Sequence, residues 1–523
     1  MRFTFLAAVL IVACAPKHDA GTPHDAGPPD AFAGPFPDFP ATPIVDPSAP
    51  GNSGMLFGAP GTGAQSGGPC MYEPEVGTLY PQNWLRPRFS WVAQGTENLF
   101  EVSITAANEV NPLVVYTAMT TWTMPADIWT ALSAHLVEQP LTVTVRGATY
   151  DGTSALTSGP EIGTSGAIQI AAVSAPGAIV YWTTSHGTGF RGFHIGDETV
   201  QTVATPTDDA SSTLCIGCHS STPDGKYIAY SLTDDAGNGD PAMLGLMTSD
   251  GTHAKPPFVS AAAQPLMARL NQELPQFSPL HWQTGDRVAL NMFPTDGVTQ
   301  NGAFAIMWTD LEATDPSGTG FIARNGDAGH AASASFAHTN DTILYVSAPT
   351  VSSGVTVTAG DIWTVPYGNR MGGSAAPVMG ANTGANEYYP TFSPDDKYIA
   401  YDVAPGGQSS YANVDAEVYV IPSSGGTPVR LTANDPPACT GAMSPGVENS
   451  WPKWAPDATA ANGKTYYWLT FSSTRDAAAI PQLYVTPIVD DGTSLTTYPA
   501  LYLWNQPADE HNHTPAWDNF QLQ

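Results

Sequence analysis

Short runs that alternate apolar and polar positions follow one another along most of this chain, each closed by Gly, Pro, Asp or Asn. A period of two puts one face of a segment in a core and the other toward solvent, so the pattern predicts strands joined by tight turns. Between Cys70 and Val173 the runs "RPRFSWV" (86–92), "NLFEVSITA" (98–106), "PLVVYTA" (112–118), "LTVTVRGATY" (141–150) and "AIQIAAV" (167–173) read this way. One segment, "MPADIWTALSAHL" (124–136), shifts to helical spacing and predicts a short helix.

From residue 174 a longer period is superimposed. "LPQFSPLHWQTGDRVALNM" begins at Leu274, "YPTFSPDDKYIAYDV" at Tyr389 and "WPKWAPDATAANGKTYYWLTFSS" at Trp451; each joins Pro, one residue and an aromatic to a turn and an apolar strand. Weaker copies are "SASFAHTNDTILYVS" (333–347) and "HTPAWDNFQLQ" (513–523), and a sixth is "TLCIGCHSSTPDGKYIAYS" (213–231), in which Pro223 to Tyr230 aligns without a gap on Pro394 to Tyr401. A spacing of about 56 to 63 residues suits a four-stranded sheet per copy. The strand-like runs at 178–205 lack an inner strand, and "TPAWDNFQL" at the far end lacks a sheet. Joining them leaves no unpaired edge.

These motifs resemble the repeats of TolB-type β-propellers, in which Pro-x-aromatic-Ser-Pro-Asp-Gly spans the innermost strand and the turn into the second. The resemblance covers roughly residues 175–523 and implies an all-β fold: a six-bladed β-propeller closed by the C-terminal strand. Two copies depart from it, since Ser221 replaces the aromatic and the last copy lacks the turn. The segment before it is similar to a fibronectin type III or immunoglobulin-like β-sandwich and carries no catalytic constellation. The expected organisation is a signal peptide at 1–14, a disordered tether at 15–69, a β-sandwich at 70–173 and the propeller at 174–523.

Composition narrows the function. With 17 Lys plus Arg against 47 Asp plus Glu, a formal charge of -30 repels phosphate backbones and anionic lipid, which excludes nucleic acid as a partner. The start, "MRFTFLAAVLIVACAPKHDAG", has one cation, an apolar run and Cys14, the pattern of an export signal. Ile11 to Cys14 resembles a bacterial lipobox, which implies lipidation of Cys14 and membrane contact through the lipid alone. An exported protein anchored at the outer membrane, facing the periplasm or the cell surface, is the expected location. The tether's Pro, Gly, Ala and Asp content offers too little apolar surface to offset folding entropy, and His18 and His24 within it read as solvated.

The candidate chemistry lies in Cys215-Ile216-Gly217-Cys218-His219, the spacing that attaches a c-type haem through two thiols and ligates its iron through the adjacent His. A redox disulfide between Cys215 and Cys218, or half a zinc site, stays open as an alternative. His513, two residues before Pro515, is the candidate distal iron ligand, with His511, Met267 and Met443 behind it, or an open iron. Cys70 and Cys439 are candidates for a disulfide in an exported protein. "TDDAGNGDP" (233–241) lacks calcium-loop spacing and reads as a hairpin loop. The leading expectation is single-electron transfer through haem c to a redox partner protein or small electron carrier. The alternatives are a haem-dependent redox enzyme, as in the hydrazine synthase subunit, and a TolB-like protein-binding scaffold without redox activity.

Overall fold

The computed structural model describes residues 34–234, 243–269, 273–292, 304–353, 355–476 and 478–523. Cys14, His18 and His24 lie outside the described residues, as does most of the 233–241 loop. Among the described residues no helix is long and apolar enough to cross a membrane.

The first unit holds a six-stranded sheet in the order Ile44–Val45, Leu113–Thr117, Leu99–Thr105, Leu141–Tyr150, Leu156–Ile170, Leu79–Tyr80. A three-stranded sheet of Cys70–Glu73, Arg88–Val92 and Thr121–Thr123 faces it. Strand positions follow the alternation, with Phe100, Val102, Val143 and Val145 buried on one face. Helix α1 (Ala126–His135) buries Ile128, Trp129 and Leu132, and the Trp129 indole donates to the Trp84 carbonyl at 2.9 Å. Asp127 in its first turn and His135 in its last complement the helix dipole. Residues 34–69, expected as part of the tether, are built into this unit. Phe39 is 1% exposed, and Ile44–Val45 pairs in parallel with Leu113–Thr117. Averaged over the segment, Pro and Gly hid the anchoring power of a few aromatics.

Beyond residue 174 the strands needed below are β1 (Ala178–Thr183), β2 (Cys215–Ser221), β3 (Glu273–Gln276), β4 (His330–Phe336), β5 (Asn386–Phe392), β6 (Ser450–Trp454) and β7 (Asn512–Asp518). Strands β2 to β6 each begin a separate antiparallel sheet, and β7 pairs with β1 as the last strand of a sixth. The first strands pack side by side, β2 on β3, β3 on β4, β4 on β5, β5 on β6, β6 on β7 and β7 on β2.

The expected fold class is corrected on three counts. The sheets are open and unequal, of three strands at Cys215–Ser221 and six at Ser450–Trp454, and are not the regular four-stranded blades of a closed six-bladed TolB-type propeller. The first unit carries parallel edge pairs and a ten-residue helix foreign to a fibronectin or immunoglobulin sandwich. Its core also runs without a break into the second region, joining Trp91 and Phe100 to Tyr181, Trp468, Leu483 and Trp517. The physical reason is that turn motifs report local chain reversal, whereas strand number and sheet ends are set by what each sheet packs against.

One device recurs in each of these six sheets. Cys218, Leu274, Ser333, Tyr389, Trp451 and Thr514 all have φ between +41° and +60°, and each sits at a break in the pairing register. These are β-bulges, each followed by Pro275, Pro390, Pro452 or Pro515 in four cases. Pro has no N–H to give the ladder, so an unpaired bulge accommodates it. The Pro-x-aromatic pattern in the sequence is therefore the mark of this bend. Gly225, at φ +69°, turns the chain after β2 so closely against the Asn519 carbonyl that a Cβ would lie 1.9 Å from it.

Candidate functional sites

Strand β2 carries the residues expected to hold haem, and it presents them as a strand does. His219 is 7% exposed and packs against the Phe190 ring at 4.5 Å between centroids. Its Nε2 donates to the Val180 carbonyl at 3.0 Å, the bond that a proximal ligand would have to give up. Burial, with Lys453 and His513 nearby, lowers its pKa to about 4. Cys215 and Cys218 are half-buried thiols not joined to one another, Cys218 on the bulge itself. Among the described residues no group of three or more His, Cys, Asp or Glu is placed to hold a metal ion.

The haem c reading, with Cys215 and Cys218 as attachment points, His219 as proximal ligand and electron transfer as function, is corrected accordingly. The five letters are present, but an extended strand sends successive side chains to opposite faces and buries this imidazole in a contact between sheets. These residues do not fit the group. His513 is brought to the same neighbourhood, 4.7 Å from the Trp182 ring between centroids, and burial holds its pKa near 4. His511 is exposed, Met443 is 75% exposed on another face, and Met267 lines a separate pocket.

A larger site lies where the first unit meets the sheet begun by β6. A cavity of about 810 Å³ is walled by Tyr72, Tyr80, Trp84, Tyr484, Tyr502 and Trp504. Three of the rings are fixed from behind. Trp504 donates to the Arg86 carbonyl at 3.0 Å, the Tyr502 hydroxyl donates to Gln482 at 3.0 Å, and Tyr80 meets Trp129 edge to face. The Cys70–Cys439 disulfide, with S–S 2.06 Å, clamps the two walls together at the rim.

Charges are distributed unevenly over this cleft. Arg88 is held by Glu73 through two contacts, the shorter 2.7 Å, and lies over the Tyr502 ring. Arg475 is buried, donating to Ala433 O and Asn449 Oδ1 with its guanidinium 4.7 Å from the Tyr484 centroid. Glu75 and Asp476 complete the lining. Burial raises the Glu75 carboxyl to about 7, against the pull of Arg475, and burial raises Asp476 as well. Aromatic faces with carboxylates among them favour a ligand that is apolar in body and positively charged at one end.

Sequence reasoning did not find this cleft, because its walls come from residues more than 300 positions apart, such as Tyr72 and Tyr502. The available signal was the density of aromatics in "EPEVGTLYPQNWL" and "YPALYLWNQ", each of which reads locally as strand or core.

No protein-family model matches the chain, and no curated protein matches it. Solved structures overlap it in part. An ancestral GH74 enzyme is 12% identical over 64% of this chain and 40% of that one, with a TM-score of 0.37. The tricorn protease is 11% identical over 78% and 40%, with a TM-score of 0.28. The hydrazine synthase of Kuenenia stuttgartiensis is 10% identical over 65% and 46%, with a TM-score of 0.25. The chain spans about two fifths of the GH74 enzyme's length. None of these overlaps bears on activity.

Proposed function

We propose that the chain is a non-redox binding scaffold that receives a cationic, apolar-flanked segment of a partner protein in the aromatic cleft. The observation that carries this reading is the 810 Å³ cavity itself, aromatic on both walls and clamped by Cys70–Cys439. A net charge of -30 draws a basic partner toward it, and Glu75 stands ready to pair with the incoming cation. Lipid on Cys14, which the sequence motif implies, would hold the scaffold at the membrane of an exporting cell.

A peptide panel tests the proposal by fluorescence anisotropy. Peptides with Lys or Arg between apolar residues bind, and Tyr502→Ala weakens them roughly tenfold, the loss of a buried aromatic anchor. Equal binding of acidic peptides, or indifference to Tyr502→Ala, would overturn the reading, and so would a haem absorption band in protein made with haem-maturation machinery.

The Glu75 carboxyl gives the cleft a pH dependence. Its folded pKa, near 7, is raised above the ordinary carboxylate value, so the contribution of Glu75 to stability is greatest at low pH and declines between about pH 4.5 and 7, as the unfolded chain ionises first. Peptide binding runs the other way, strengthening from pH 6 to 8 as Glu75 acquires its charge. Glu75→Gln flattens that dependence, and anisotropy titrations at each pH measure it. An unchanged profile in the variant assigns the titration elsewhere.

A further inference from the structure

Two residues beyond its bulge, each of the strands β2 to β7 places one residue at a common level of a second cavity: Ser220, Gln276, Ser335, Thr391, Lys453 and Ala516. This cavity holds about 220 Å³. Lys453 is the one charged member of that level. By contrast, Arg370 pairs with Asp286 and Asp310, and Arg430 with Glu417 and Asp435. Among the described residues the Lys453 ammonium makes no hydrogen bond and no ion pair. Asp402, the carboxyl that acts on it, is fully buried; its Oδ2 accepts from Ser450 Oγ at 2.5 Å and Trp451 N at 3.2 Å, and its Oδ1 has no partner among the described residues.

Two further groups face the same space. His219 spends its Nε2 proton on Val180, which leaves Nδ1 as a lone-pair acceptor, buried and without a partner among the described residues. Asp518 lines the cavity two residues beyond Ala516, a rise of roughly 7 Å along the strand. Asp224 and Asp457 add negative potential there, with His338 opposing them, and burial raises the Asp518 carboxyl to about 6. Burial lowers Lys453 to about 8, so at neutral pH the cavity carries a cation at Lys453 and an anion at Asp518.

We propose that this cavity binds a small zwitterion, its carboxylate against the Lys453 ammonium and its own ammonium against Asp518. The occupant gives the Lys453 ammonium a counter-ion and gives Asp518, which accepts from Asn519 N at 2.7 Å, a second partner. A buried donor or acceptor left without a partner is costly, so each contact adds affinity. The volume admits a molecule the size of a short amino acid, with Ser220, Gln276 and Thr391 as polar neighbours among aromatic walls that include Phe277, Phe392 and Trp454.

Calorimetric titration of the whole mature chain with glycine, 4-aminobutyrate, acetate and butylamine tests this. At least one zwitterion binds roughly tenfold or more tightly than acetate and butylamine, Lys453→Met weakens it at least tenfold, and Asp518→Asn lowers it to the level of acetate. Acetate binding as tightly as both zwitterions reduces the site to an anion site and overturns the proposal, as does butylamine doing so, or the failure of all four probes to bind. Wild-type protein supplies a readout independent of variant folding: acetic anhydride labelling of Lys453, followed by peptide mass spectrometry, slows about tenfold with the bound zwitterion. Unchanged labelling overturns the assignment to Lys453.

Discussion

Arg146→Met lowers the unfolding free energy by about 3–5 kcal/mol, measured by urea denaturation, the cost of leaving a buried charge without its counterion. Arg146 and Glu101 are each 1% exposed and meet through two bonds of 2.7 and 2.6 Å. The same guanidinium donates to the Thr62 carbonyl at 2.7 Å, so it also pins the segment that precedes the first sheet's edge. Removing one partner strands the other, whereas replacing both leaves no buried ion. The double variant Arg146→Met with Glu101→Leu therefore recovers much of the loss. Equal or greater destabilisation in the double variant would show that the contact with Thr62, and not the ion pair, carries the effect.

Cys70→Ser with Cys439→Ser costs roughly 2–5 kcal/mol, chiefly by releasing a constraint on the unfolded chain, and lowers the melting temperature to that of reduced wild type. The bridge spans 369 residues, from the first strand of the three-stranded sheet to the short helical turn Ala438–Thr440. Its partners flank the aromatic cleft, whose lining includes Thr440 and Met443. The doubly substituted protein consequently binds cationic peptides several-fold more weakly as well. Loss of stability with peptide affinity intact would mean that the shared core of Trp91, Tyr181 and Trp468 aligns the cleft walls by itself.

Much of the local structure was legible in the order of residues. The alternation placed strands at Arg88–Val92, Leu99–Thr105 and Leu141–Tyr150, and the change of period placed the helix Ala126–His135. The Pro-x-aromatic copies marked four of the six equivalent bends, where a bulge accommodates Pro in the ladder. Within the second cavity, Lys453 was visible as the charged member of "WPKW", where the matching positions are Thr391 in "YPTF" and Ser220 in "CHSS".

The haem motif failed for a reason of the same kind. Spacing in a sequence specifies which residues are near in the chain, and a strand turns that nearness into opposite faces. His219 spends its nitrogen on Val180, whose own strand begins some forty residues earlier.

Periodicity, turns and charge are properties of neighbouring residues, and the chain by itself decides them: strand and helix positions, the repeated bend and a strongly acidic surface. Which atoms are left without partners, and which aromatics face one another across a cleft, depends on segments hundreds of residues apart, and only folding brings those together. The site chemistry of this protein belongs to the second kind. Tyr72 with Tyr502, and Lys453 with Asp518 and His219, become neighbours because β7 returns to β1 and the first unit shares its core with the last sheets.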